Sequence, residues 1–221
     1  MLDEYFLNIH PQIQNPYKLI THNSDRNITQ NDLRFIDDTI IRWFAQNALV
    51  QHPKITPIPI GIENAYHANA GLLRFFKKTF LAKKTPRILV NFNVATNPGV
   101  RGPCKQALAQ NPLADIKKWK SQPKFVRNLQ NYAFVASPAG NGIDCHRTWE
   151  ALYLKTVPIV ERSVLTEYFK KIGLPLLLVD DWNKLLAYTI ETIGEEYAKT
   201  ESVFDHPALH MEYWRKLILN Q

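Results

Sequence analysis

Cysteine is scarce in this chain. Cys104 and Cys145 are the only two among 221 residues. They are too few for a disulfide scaffold and lack the spacing of a zinc site. Long hydrophobic runs are missing as well, and every apolar stretch is interrupted well before the roughly 20 residues that span a bilayer. The N-terminus, MLDEYFLNIHPQ, carries acids early and has no basic segment ahead of an apolar core. It therefore does not read as a secretory signal. There is no internal repeat, no Walker phosphate loop, no GxGxxG and no Asp-x-Asp triplet. Together these absences place the chain as a reduced, cytoplasmic globular protein. They leave open a peripheral contact with a membrane surface.

Positive charge is in surplus. Twenty-seven Lys and Arg face 20 Asp and Glu, a formal net charge of +7. The excess sits in short pairs: Lys77-Lys78, Lys83-Lys84, Lys117-Lys118 and Lys170-Lys171. Such pairs fit solvated faces, and equally a phosphate-bearing ligand or an anionic membrane surface. No nucleic-acid motif accompanies them, so nucleic acid is not an expected partner.

Periodicity divides the chain near residue 86. Before it, YKLIT (17–21) reads as a strand. Thr29 and Asp32 form a capping pair, and Leu33, Ile36, Ile40, Ile41, Phe44 and Ala48 recur at helical spacing. HPKITPIPIGIEN (52–64) is proline-rich and extended. Residues 71–84 read as a basic amphipathic helix. After the division come an apolar strand (87–92), a helix near 104–110, and a helix within 114–130 interrupted at Pro123. They are followed by a strand (132–136), a helix (144–155), a strand (157–160), and a helix opened by Ser163 and ended at Gly173. A strand (176–179) comes next, then a helix capped by Asn183 and a C-terminal helix opened by Pro207. Apolar strands alternating with helices predict a parallel, doubly wound sheet. Ligands of such sheets bind beyond the carboxyl ends of the strands.

One stretch concentrates chemistry at such a place. FVASPAGNGIDCHRTWEALYLKTVPIVE (134–161) runs from a strand through a Gly/Asn loop into a helix. Gly140 and Gly142 permit close approach of backbone to a ligand, and Asp144 is placed to cap the helix. On a helical wheel Asp144, Arg147 and Glu150 share one side, while Cys145, Trp149, Leu152 and Tyr153 share the other. The polar side then faces the cleft beside a helix N-terminus that favours anions. Arg147 can grip a phosphate through two oxygens. Glu150 can accept hydrogen bonds from the two hydroxyls of a ribose. The same spacing also describes an i,i+3 surface ion pair.

The segment SPAGNGIDCHRTWEALYLKTVPIV resembles the donor-binding segment of GT-B glycosyltransferases, in the form seen in exostosin-like and related capsule and lipopolysaccharide transferases. It also looks like the α1,3-fucosyltransferase segment, in which a lysine stands at the position of Arg147. ITPIPIGIEN (55–64), VNFNVATNPGVR (90–101) and LITHNSD (19–25) extend the likeness over most of the chain. The resemblance implies a metal-independent glycosyltransferase. Its partners would be a nucleotide-sugar donor and a glycan or lipid-linked acceptor, and it would need no cofactor. It implies an α/β, GT-B-like fold, with residues 86–221 as a Rossmann-like donor domain and residues 1–85 as a reduced acceptor-side portion. Donor contacts would come from Arg101, Gly140, Asn141, Gly142, Asp144, His146, Arg147 and Glu150. Glu150 matches the second acid of the E-x7-E motif. The first acid's position is occupied by Gly142, and Lys155 stands where many relatives have glycine, which asks it to adopt a left-handed turn.

A transferase of this class that inverts its sugar needs a base beside the acceptor hydroxyl. Asp25 and His22, directly after the first strand, are the candidates, although Asn-Ser-Asp is also ordinary turn chemistry. The short first portion leaves a second reading: a catalytically inactive nucleotide-binding module that partners another transferase.

Overall fold

Valine, isoleucine and aromatic residues gather in short runs, and the runs pair as parallel strands. The computed structural model describes residues 2–65, 73–76, 83–119 and 121–220. A first sheet has the order β1 (Tyr17–Thr21), β2 (Ile40–Ala45) and β3 (Ile55–Pro57), all parallel. The second sheet holds β4 (Thr85–Val90), β5 (Ala114–Ile116), β6 (Tyr132–Ala136), β7 (Val157–Glu161) and β8 (Leu177–Val179). Its order is β5-β4-β6-β7-β8, again wholly parallel. A short N-terminal helix, α1 (Leu2–Glu4), precedes the first sheet. The second is flanked by α2 (Pro98–Ala109), α3 (Gln122–Leu129), α4 (His146–Tyr153), α5 (Val164–Lys171), α6 (Ile190–Ala198) and α7 (Met211–Asn220). The chain is thus an α/β protein with a Rossmann-like second sheet.

Two-sided burial explains why the inner half of β4, Ile88–Val90, and all of β6 are apolar. Ile88, Val90, Phe134 and Ala136 point into one core with Leu108 of α2, Phe169 of α5 and Trp214 of α7. Leu89 and Val135, one residue out of phase, enter the opposite core with Phe125, Val126 and Leu129 of α3. A strand's side chains alternate between faces, so a strand covered on both sides must be apolar at every position. The first sheet has its own core around Phe6, Leu19, Ile28 and Trp43. Phe6 stacks on Phe35 at 4.3 Å. The neighbour of Trp43, Phe44, joins the core of the second sheet instead, together with Ile58. Lys18 Nζ donates to the carbonyls of Ile218 and Leu219 at 2.8 and 3.0 Å, which ties the end of α7 back to β1.

The predicted helix over 33–48 is absent. The Thr29–Asp32 capping box forms, but it opens a 3-10 turn, Gln30–Phe35. Asp37 Oδ1 then accepts hydrogen bonds from the backbone of Thr39 and Ile40. That local bonding competes with a helix, and β2, which opens with the β-branched Ile40-Ile41, pairs with β1 from Tyr17↔Ile40 through Thr21↔Ala45. Residues 114–130 hold an edge strand that pairs with Ile88, Leu89 and Val90, too short to show a period, and then helix α3, whose first turn Pro123 joins without interrupting it. Helix α2 starts at Pro98, so Arg101 is helical and not in a loop. Asp181, not Asn183, caps the next turn, which is 3-10 over Trp182–Ala187. Pro207 opens a separate 3-10 turn, and α7 begins at Met211. The expected basic helix at 71–84 lies largely outside the described residues; Leu73–Phe76 forms a 3-10 turn. Ser163 caps α5 as expected, and Gly173 ends it at φ 104. Lys155 takes the left-handed conformation foreseen for it, with φ 56.

Phe134 on β6 tests the central packing. It is 1% exposed and meets the Tyr197 ring edge-on at 6.1 Å. Phe134→Ala should lower the unfolding free energy in urea by roughly 3–5 kcal/mol.

Candidate functional site

Strand order decides where the cleft lies. From β4 the chain goes to its outer neighbour β5, and from the adjacent β6 it goes the other way, to β7. The loops after β4 and β6 therefore diverge, opening a crevice at the carboxyl edge. The loops after β1 and β3 of the first sheet face it. Between them is a cleft of about 1280 Å³. Asn23, Ser24 and Asp25 line it from behind β1, and Ile60, Glu63 and Asn64 from behind β3. The second sheet contributes residues 91–94 after β4, 117–119 after β5, and 140–142 and 144–147 with Glu150 after β6.

The loop after β6 is held from both sides. Arg101 is buried; its Nε donates to Ala139 O and its Nη1 to Asn93 O, each at 3.0 Å. It thereby ties the loops after β4 and β6 together. A Cβ on Gly140 would lie 2.9 Å from Arg101 Nη2, so a larger residue there would displace the guanidinium. Asn97 Nδ2 donates to Gly140 O at 2.9 Å. Across the cleft, Asn47 is fully buried at φ 55. Its Nδ2 donates to Ser24 O at 2.8 Å, and its Oδ1 accepts from Asp144 N at 2.9 Å. A Cβ on Gly142 would stand 2.7 Å from that Nδ2. The glycine pair thus admits two protein side chains, Arg101 and Asn47. Asn141 is exposed at the rim between them.

Asp144 does not cap α4. Cys145 occupies the cap position and makes no side-chain cap bond. The Asp144 carboxyl group turns inward. It accepts Ile60 N–H at 2.7 Å and Trp149 Nε1–H at 2.9 Å. This one side chain joins the loop after β3 to the second sheet. Burial pushes its pKa up to about 7, against the N–H donors that hold it down.

Arg147 and Glu150 both line the cleft, as the helical wheel predicts. The Arg147 guanidinium lies between two rings, 5.9 Å from Phe92 and 6.0 Å from Phe125. Its Nε is sealed from solvent and has no hydrogen-bond partner. Glu150 is buried and accepts a short hydrogen bond from Gln122 Nε2. Burial raises its pKa to about 7, while the charge of Arg147 acts in the opposite direction. Among the described residues no ion pair joins Arg147 to Glu150, so the surface-pair reading does not describe them.

His146 also lines the cleft, with Nδ1 2.8 Å from Gly61 O and Nε2 3.4 Å from Glu63 Oε2. Asp25 is exposed at the cleft wall and has no hydrogen bond or ion pair among the described residues. His22 does not line the cleft; its Nε2 contacts Pro59 O at 2.9 Å. Among the described residues no three His, Cys, Asp or Glu side chains gather as a metal site. No helix there is long and apolar enough to cross a membrane.

Sequence reasoning missed Asn47, Glu63, Phe92, Lys105, Lys117, Lys118, Trp119, Gln122 and Phe125 as cleft or joint residues. Two signals were present: the Lys117-Lys118 pair among the basic doublets, and the place of Glu63 at the end of the extended segment 52–64. No protein-family profile matches the chain, and no curated protein matches it in sequence.

The two raised carboxyl groups make stability depend on pH. The unfolded chain releases these protons near pH 4, the folded chain near 7. In between the native state binds more protons, so the stability these groups contribute falls as pH rises from about 4 to 7. Unfolding midpoints measured from pH 5 to 8 should show that decline. The slope should flatten in Glu150→Gln, which keeps the shape and loses the titration.

Proposed function

We propose that the chain binds a nucleotide-sugar in this cleft and acts as a GT-B-like glycosyltransferase on a glycan or lipid-linked acceptor. The observation that carries the reading is Arg147: a guanidinium beside two aromatic rings that lines the cleft at the switch point of a parallel sheet and has no hydrogen-bond partner among the described residues. An arginine with unspent donors fits a phosphate. Lys105, Lys117 and Lys118 line the same cleft and add positive charge for a diphosphate leaving group. Glu150, deeper in α4, supplies an acceptor for ribose hydroxyls. Trp119, Phe92 and Phe125 offer apolar surface for a base or sugar ring. In this reading Arg101 and Asp144 serve the site by holding its walls.

The alternative is an inactive nucleotide-binding module. The small first sheet favours it, with three strands among the described residues. A screen of UDP-, GDP-, CMP- and ADP-sugars separates the two, since a binding module is stabilised by a nucleotide without hydrolysing the sugar.

Each cleft residue has its own expected signature. Loss of a charge-assisted hydrogen bond costs roughly 1.5–3 kcal/mol, about 10–100-fold in affinity. Arg147→Ala should erase the preference for nucleoside diphosphate over nucleoside. Glu150→Gln should keep that preference and blunt discrimination against 2′-deoxyribose. Calorimetric titration of the three proteins with all three ligand forms measures both effects. Equal affinities throughout would remove the donor site.

A further inference from the structure

The first charged residue along the loop after β3 is Glu63, and it meets the first residue of α4, His146. The two sides of the cleft touch there through a pair of proton-handling groups. His146 Nδ1 is 2.8 Å from Gly61 O. A carbonyl only accepts, so Nδ1 carries the hydrogen and the neutral ring presents its lone pair at Nε2. Gly61 stands at φ 73, a left-handed conformation suited to glycine, which turns the chain between the carbonyl that orients the ring and Glu63. Glu63 is fixed in turn: its Oε1 accepts from Asn64 N at 2.7 Å. Its other oxygen, Oε2, lies 3.4 Å from His146 Nε2. That is beyond an ordinary N–H···O hydrogen bond, yet close enough to stabilise an imidazolium. Both side chains remain about a quarter exposed, 27% for His146 and 26% for Glu63, on the cleft wall.

We propose that His146 is the general base of the transfer, with Glu63 as the carboxylate that stabilises its protonated form. This rests on the nucleotide-sugar reading above and deepens it. The acceptor O–H bond breaks and its proton passes to His146 Nε2. The oxygen's electron pair forms the new bond to the anomeric carbon. The bond from that carbon to the nucleoside diphosphate breaks, and its electron pair leaves with the diphosphate. The imidazolium, held by the Glu63 carboxylate, returns its proton to solvent once the products depart. Asp25 and His22 are weaker bases for this step: Asp25 has no group to orient it, and His22 is outside the cleft wall. The other charged side chains of the cleft are Asp25, Arg101, Lys105, Lys117, Lys118, Asp144, Arg147 and Glu150, and among the described residues only Glu63 reaches the imidazole as an ion-pair partner.

The test uses the full chain and the nucleotide-sugar with the fastest hydrolysis in the screen, with water as acceptor. His146→Gln can keep a donor toward Gly61 O but cannot take a proton. It should lower kcat by about 100-fold or more and leave nucleoside diphosphate affinity within threefold. Glu63→Gln should lower kcat less, and should move the acid limb of the pH–rate profile to lower pH, because the imidazolium loses its counter-charge. If His146→Gln turns over at the wild-type rate, or if Glu63→Gln leaves the acid limb in place, the dyad is only a latch between the sheets. The donor reading would then survive without it. If the wild type binds no nucleoside diphosphate, the donor reading fails and this proposal fails with it.

Discussion

One buried carboxyl group holds the cleft together. Asp144 receives the backbone N–H of Ile60 from the loop after β3 and the indole N–H of Trp149 from α4. Its own backbone N–H is held by Asn47. Burying a carboxyl group is costly unless it is hydrogen-bonded, and here the donors come from different parts of the chain. Separation of the sheets would break the two bonds that cross the joint, Ile60 N–H to the Asp144 carboxyl group and Asp144 N–H to Asn47 Oδ1. Gly142 belongs to the same joint, since any larger residue would push Asn47 away.

The joint makes the cleft walls rigid, and rigidity matters for recognition. Helix α4 is anchored by Trp149 and Leu152 in the core. The side chains on its other face, Arg147 and Glu150, therefore have fixed origins. His146 opens the same helix and meets Gly61 and Glu63 from the opposite side. Arg101 performs the matching task below, tying the loop after β4 to the loop after β6. The cleft therefore has a wall of positive charge on the second sheet and acidic groups, Asp25 and Glu63, on the first. That asymmetry fits a phosphorylated ligand beside a hydroxyl-bearing one, the pairing on which the proposed transferase reading depends.

Much of the second sheet was legible in the sequence. The buried parts of β4, β6 and β7 (Ile88–Val90, Tyr132–Ala136 and Val157–Val160) are apolar without alternation because both faces are covered, and the helices between them show clear periodicity. The placing of Arg147 and Glu150 in the cleft followed from helical geometry and the rule for parallel sheets. The first sheet was harder to read. Ile36, Ile40, Ile41 and Phe44 fit helical spacing by coincidence, and what overrode it was the Asp37 turn and the presence of β1 as a partner. The edge strand β5 was invisible because three residues carry no period. The resemblance implies donor contacts from Arg101 and Asp144, and tertiary structure gives both a structural duty as well: Arg101 ties two loops through Nε and Nη1, and Asp144 holds Ile60 and Trp149.

By itself, then, the sequence determined an α/β chain with a parallel sheet and a polar helix start at its carboxyl edge. These depend on local periodicity, capping and backbone sterics, all of which act over a few residues. Tertiary structure alone decided which polar groups are spent on the protein and which remain open to a ligand. Asn47 and Gly142, Asp144 and Ile60, and His146 and Glu63 are far apart along the chain, and no local rule relates them. Their pairing follows from the apposition of two sheets, and only that apposition gives each hydrogen bond its partner.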